Sequence, residues 1–215
     1  TASSRVYLKQ ANAACETLLA HAAEPLAAFA SLCGAPYPRE LLRHAWKTLM
    51  QNHPHDSICG CSVDEVHREM MTRFAKSRRT AEAIVEESAK ALAAAADTSA
   101  FGAFPGARPF MVFNTAGIRR SGTVELELEI AERPVSWEDN EPPRRELADL
   151  DISGRVADAA GRTVECRIED LGVRFRYELP DDRFRRPYWA RVLRIAMFAE
   201  DVPALGFQAY AWIPA

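Results

Sequence analysis

The sequence predicts a multidomain chain, α then β: a three-helix bundle followed by a partial antiparallel β-sandwich. Two observations carry this. From Val6 to Ala96 apolar side chains recur every three to four positions among Ala, Leu, Glu, Lys and Arg, the signature of amphipathic helices. After Asp97 the period drops to two, with turn chemistry between the runs. The change sets the boundaries: a helical domain at residues 1–98, a linker of small residues, Gly and Pro at 99–108, and the first part of a sandwich at 109–215.

In the first helix Leu8, Cys15, Leu18, Leu19, Leu26, Phe29 and Leu32 mark one apolar face, Pro25 predicts a kink, and Cys33-Gly34 predicts the end. The second begins near Pro38 and buries Leu41, Leu42, Ala45, Trp46 and Leu49 before a His-Pro-His turn. The third opens on Ser62-Val63-Asp64-Glu65, which has the form of a capping box, and continues through Met70, Phe74, Ala81, Ile84 and Leu92. About 35 helical residues would span on the order of 50 Å. Short connections make the three helices antiparallel neighbours.

Strand-like runs follow at 109–114, 124–130, 152–156, 163–169, 173–179, 190–198 and 207–213. The clearest alternates strictly, placing Glu125, Glu127 and Glu129 on a wet face and aliphatic residues inside. Residues 132–145, rich in proline and acidic side chains, read as an exposed connection.

The bulk numbers exclude several functions. In 215 residues, 27 basic and 30 acidic side chains give a net charge of −3, and no basic cluster is interleaved with aromatics, so nucleic-acid binding is not expected. No apolar run approaches the roughly 20 residues of a membrane helix, and no signal-peptide pattern opens the chain, so no membrane partner is expected. Five cysteines, an odd number in a chain with 48% hydrophobic residues, read as free thiols in a reducing compartment, which predicts a cytoplasmic protein. A start at Thr1 rather than Met and a stop at Ile213-Pro214-Ala215 read as cuts in a longer chain.

The densest set of candidate ligands is Asn52-His53-Pro54-His55-Asp56-Ser57-Ile58-Cys59-Gly60-Cys61-Ser62, because imidazole, carboxylate and thiolate are the groups that hold zinc. Three readings stand. The histidines cap a helix and the cysteines are small buried residues; or His53, His55, Cys59 and Cys61 close a structural zinc site; or the loop supplies one or two ligands to an open site completed elsewhere. His-x-His with Cys-x-Cys lacks the spacings that let paired ligands converge on a tetrahedral ion. The other histidines, His21, His44 and His67, lie inside helical patterns and complete nothing. Asp149-Asp151 and Asp181-Asp182 are carboxylate pairs of the kind glycosidases use, here in turn-like surroundings, and Trp46, Trp137, Trp189 and Trp212 are candidates for stacking on a sugar.

The run from Leu42 to His67, with the His-Pro-His-Asp loop at its centre, resembles the middle of bacterial α-mannosidases of glycoside hydrolase family 38. Ser4 to Asn12 is similar to the segment after that family's catalytic barrel, Val112-Phe113-Asn114 to the opening of its β-domain, and Val202 to Phe207 to a later strand boundary. The resemblance implies an internal fragment of a zinc-dependent, retaining α-mannosidase. It implies that His55 is a zinc ligand, that Asp56 contacts the sugar, and that His53, Cys59 and Cys61 are not ligands. No catalytic residue is expected in this chain: nucleophile and acid/base would lie in the absent N-terminal barrel, so the fragment alone is expected to be inactive. The implied partners are an α-mannoside, the barrel and the rest of the β-domain; assembly into a homo-oligomer stays open. The competing reading is a non-catalytic metal-binding or protein-interaction module built on the His/Cys loop.

Overall fold

The computed structural model describes residues 3–180 and 184–215. It divides into two compact units, Thr1–Ala96 and Asp97–Ala215. The Asp181-Asp182 pair lies outside the described residues.

The first unit is helical. Helix α1 (Val6–Leu18) passes through one π turn (Leu19–Ala23) into α2 (Glu24–Leu32), followed by α3 (Arg39–Met50), the short α4 (His55–Cys59) and the long α5 (Asp64–Ala95). Pro25, expected as a kink, lies in the first turn of α2, where it has no N–H to donate to the carbonyl of His21 and its ring would crowd that carbonyl. The preceding π turn, closed by a bond from Glu24 N–H to the carbonyl of Leu19, provides the extra width. Gly34 in the left-handed region ends the helical stretch, as its sequence suggests. The expected Ser62/Glu65 capping box is not formed. Helix α5 starts at Asp64 with Val63 as its extended N-cap, and Asp64 and Glu65 are engaged by Arg5 and Arg68 instead. One core holds Leu8, Cys15, Leu19, Leu42, Leu49, Met70, Phe74 and Ile84. Leu8, Leu19, Leu49 and Met70 are fully buried, each contributing about 1.5–3 kcal/mol of apolar transfer.

The second unit holds two antiparallel sheets. Strands β1 (Arg108–Asn114), β7 (Gly206–Pro214), β3 (Gly154–Asp158) and β4 (Thr163–Val164) form one in the order β1-β7-β3-β4; β2 (Arg120–Pro134), β6 (Arg186–Val202) and β5 (Cys166–Glu178) form the other in the order β2-β6-β5. One cluster draws on both: Leu193, Ile195, Met197 and Ile130 from the second meet Tyr210, Trp212 and Val156 from the first. The two runs expected at 163–169 and 173–179 are different from this. The second joins most of the first in a single strand, β5, whose alternation breaks at a bulge between Asp170 and Gly172; Gly172 has φ +76° and donates its N–H to Asp170 Oδ1. Residues 99–108, expected as a linker, begin with a 3-10 turn (Ser99–Phe101) that buries Phe101 against Ala157, Ala211 and Ile213.

Residues 132–145 are not a bare connection. Strand β2 runs on to Pro134, and helix α6 (Glu141–Ala148) follows, with Pro142 and Pro143 in its first turn, where no N–H is needed, and Leu147 fully buried. Arg191, 9% exposed in its side chain, holds this helix down: Nη1 donates to the carbonyls of Ala148 at 2.9 Å and Leu147 at 3.4 Å, and Nη2 pairs with Asp170 at 2.5 Å. One cation thus compensates a helix C-terminus and a bulge carboxylate. Arg191→Leu is expected to lower the stability of this unit by about 2 kcal/mol, read as a shift of the urea midpoint, because it takes the cation from the Ala148 carbonyl and from the Asp170 carboxylate, which keeps only the Gly172 amide. An unchanged midpoint would show that α6 needs no such anchor.

Candidate functional site

The His-Pro-His-Asp loop is built from its ends. Where α3 stops, Asn52 is completely buried and its Nδ2 donates to the carbonyl of Met70 on α5 at 3.1 Å, tying the turn to the longest helix. Pro54, at ψ 137°, redirects the chain as N-cap of α4, and the amides of Ser57 and Ile58 both donate to its carbonyl at 3.0 Å. Gly60 closes the helix in the left-handed region: its N–H donates to Ser57 O at 3.0 Å and the Cys61 N–H to Asp56 O at 3.1 Å, the paired bonds of a Schellman motif. The loop is therefore a short helix rather than the irregular loop its Pro and Gly suggest.

This geometry separates the candidate ligands. His55 projects to the surface with its side chain 90% exposed, and its Nε2 lies 3.3 Å from Asp56 Oδ1. His53 points elsewhere, to Asn12 Oδ1 on α1, 2.8 Å from its Nε2. Cys61 Sγ lies against Asp56, 3.5 Å from its carbonyl oxygen and 3.6 Å from Oδ1. Among the described residues no three His, Cys, Asp or Glu side chains are grouped to hold a metal ion. The donor set that faces solvent, one imidazole with an adjacent carboxylate, fits a partial contribution to an open zinc site, and three further positions would have to be filled from outside these residues. All five cysteines are free thiols.

The remaining sequence candidates are occupied or apart. His67 is buried, while His21 in the π turn and His44 on α3 lie exposed. Asp151 accepts bonds from the Ser153 hydroxyl and amide, which hold its carboxyl below the usual range and mark a turn. Trp212 is core, Trp46 packs on the helical core, and Trp189 donates to Asn140 under the Arg144 guanidinium; Trp137 alone is fully open to solvent at 90%.

Sequence reasoning passed over the residues that touch α4. Gly60 O accepts from Ser4 Oγ at 3.3 Å and Arg5 Nε at 3.2 Å, and Cys59 O accepts from Lys9 Nζ at 3.1 Å. Arg5 also pairs with Asp64 at 2.8 Å. Hydrogen bonding to the Tyr7 side chain and to Asp64 raises the Arg5 guanidinium above its ordinary value. Lys9, Asn12 and Glu16 recur at three and four residues, so they form a polar stripe along α1, and Arg5 is the left-handed N-cap just before it. That spacing was the available signal.

Comparison with known proteins places both units. The family model "Alpha mannosidase middle domain" matches residues 1–92, and "Glycosyl hydrolases family 38 C-terminal domain 1" matches residues 105–214. The chain is 37% identical over its whole length to a protein of Halalkalibacterium halodurans named "Putative mannosylglycerate hydrolase", of which it covers 24%. It is 27% identical over 59% of its length to mouse α-mannosidase 2C1, covering 12% of that protein. The crystal structure of an α-mannosidase from Enterococcus faecalis superposes on all of it with a TM-score of 0.93 at 41% identity, and a glycosyl hydrolase family 38 protein from the same species with 0.86 at 37%. The chain spans about a quarter of each of those two structures. A helical unit and a β unit that match, in order, the middle domain and the first C-terminal domain of one family leave a single conclusion: this chain belongs to glycoside hydrolase family 38.

Proposed function

We propose that the chain is an internal part of a zinc-dependent, retaining α-mannosidase, a glycoside hydrolase in which a three-helix middle domain presents His55 and Asp56 and a partial β-sandwich follows. The observation that supports the reading is the solvent-facing His55–Asp56 pair on α4, an imidazole and a carboxylate side by side, with no group of three potential metal ligands among the described residues. His55 would give one imidazole lone pair to zinc, and Asp56 would accept a hydrogen bond from a substrate hydroxyl. Zinc held by His55 and by groups elsewhere in the protein would supply a Lewis acid that orients substrate oxygens. The nucleophile and the acid/base carboxyl belong, in this reading, to an N-terminal barrel of the same protein. The substrate is an α-linked mannoside, and the name of the 37% identical relative makes mannosylglycerate a substrate to include. Free thiols at all five cysteines support a reducing, cytoplasmic setting; among the described residues no helix is long and apolar enough to cross a membrane.

The test is hydrolysis of an aryl α-mannoside and of mannosylglycerate by the full-length protein. The product is expected to retain its anomeric configuration, with loss of turnover on chelation and recovery with zinc. The 215-residue chain alone is expected to show no turnover and no stoichiometric zinc. Hydrolysis by the short chain, or a full-length protein indifferent to chelation, would sink the reading; stoichiometric zinc on the short chain would favour the self-contained metal module.

A further inference from the structure

The two residues that face solvent on α4 have little to hold them in place from below. The helix has five residues, too few to persist by its own hydrogen bonds, and none of them is fully buried. Ile58 packs on the helical core, but His55 and Asp56 are exposed. A metal ligand and a sugar contact must nevertheless be held to within about 0.5 Å. The ordering force therefore enters at the C-terminal end of the helix, where the chain turns through Gly60.

That end is gripped by α1 and the residues just before it. The carbonyls of Cys59 and Gly60 are among those a helix leaves without internal partners, and they meet the ammonium of Lys9, the guanidinium of Arg5 and the hydroxyl of Ser4. Lys9 Nζ also donates to Ser4 O at 2.6 Å, so the clamp is cross-braced. Two cations at a helix C-terminus are favoured by the local dipole as well as by the hydrogen bonds. The fit is close: a Cβ on Gly60 would come within 3.1 Å of Ser4 Oγ and 3.2 Å of Arg5 Cβ. On the other side of the Pro54 turn, Asn12 holds His53 at 2.8 Å. Lys9 and Asn12 on α1, with Ser4 and Arg5 just before it, thus grip the chain both before and after His55–Asp56.

We infer that Arg5 and Lys9, with Asn12, are positioning residues that fix the orientation of His55 and Asp56 by clamping both ends of α4. The inference rests on the proposed role of His55 and Asp56, and its test separates the two.

In the full-length protein, Arg5→Gln/Lys9→Met is expected to weaken zinc affinity and lower kcat/KM on an aryl α-mannoside by about 10- to 100-fold, the range for groups that orient a metal ligand. The loss should fall on kcat more than on KM, and Lys9→Arg should restore most of it in the single-site series. A folded double variant that keeps zinc affinity and kcat/KM within about twofold of wild type overturns the inference. If wild type holds no zinc and cleaves no mannoside, the proposed function fails, and the clamp is then judged on amide exchange alone. In that case the Gly60 and Cys61 amides of the full chain should exchange about tenfold faster in the double variant; unchanged exchange overturns it. Should the double variant fail to fold, Lys9→Met is read by the same criteria.

Discussion

His55→Ala in the full-length protein is expected to remove zinc and hydrolysis together, with kcat/KM on an aryl α-mannoside falling by at least about 100-fold, or about 2.7 kcal/mol of transition-state stabilisation. The size follows from the geometry. His55 is the one imidazole of α4 that is free to face outward, and no neighbour among the described residues is placed to substitute for it, because His53 is taken up by Asn12. Zinc content, measured on the purified variant after dialysis, is the readout that separates loss of a ligand from loss of a sugar contact. Asp56→Asn should keep zinc while raising KM or lowering kcat. Cys59→Ser and Cys61→Ser should stay within about threefold of wild type, since neither thiol joins a group of metal donors. A His55→Ala protein with full zinc and full activity would remove this residue from the site, and zinc loss in the two cysteine variants would restore the closed-site reading of the loop.

Asn114→Leu is expected to have the largest effect on folding, about 3 kcal/mol from the stability of the β unit. The Asn114 side chain is buried at the end of β1 and donates through Nδ2 to the carbonyls of Ile118 at 2.8 Å, Pro203 at 3.0 Å and Val202 at 3.1 Å, while Oδ1 accepts from the Ala116 amide at 3.0 Å. One amide therefore joins the turn after β1 to the crossover between β6 and β7, positions 88 residues apart in the Val202 contact. Leucine of similar volume keeps the packing but leaves those carbonyls without a donor. Asn114→Asp is the sharper variant, because it retains the acceptor for Ala116 and places an anion against three carbonyl oxygens; it should be at least as destabilising. Urea unfolding of the chain followed by tryptophan fluorescence measures both, and a loss below about 1 kcal/mol for either would show that water or backbone rearrangement replaces the bonds.

What could be read in the sequence was whatever repeats along one element. The long third helix, the glutamate alternation of β2 and the end of the first helical stretch at Gly34 each follow from local spacing or a single backbone requirement. The elements that escaped depend on partners distant in sequence. Helix α6 has one fully buried residue, Leu147, and is secured by Arg191 more than forty residues away, so no periodicity announces it. The β5 bulge breaks alternation at Asp170 to Gly172 and so divides one strand into two apparent ones. At the site the donor types were legible, but their directions were not: His53 and His55 are two residues apart and face different surroundings because Pro54 redirects the chain between them. The Ser62/Glu65 pattern had the right spacing for a cap, yet Arg5 and Arg68 had stronger claims on the acidic side chains of that turn.

The π turn at Leu19–Ala23 does more than make room for Pro25. In an α-helix each four-residue step overshoots a full rotation by about 40°, so an unbroken run of such steps would carry the apolar stripe around the cylinder and off its neighbours. Cys15, Leu19, Ala23 and Ala27 are four apart in succession, and all four are buried. The wide turn cancels the accumulated drift and acts as a phase corrector between the part of the helix that grips the site and the part that continues beyond it. The length of the first helical stretch is therefore quantised. A residue gained or lost at 35–38 falls in a connection, whereas one gained in the α-helical turns between Lys9 and Leu18 would rotate the clamp by about 100° relative to the distal core.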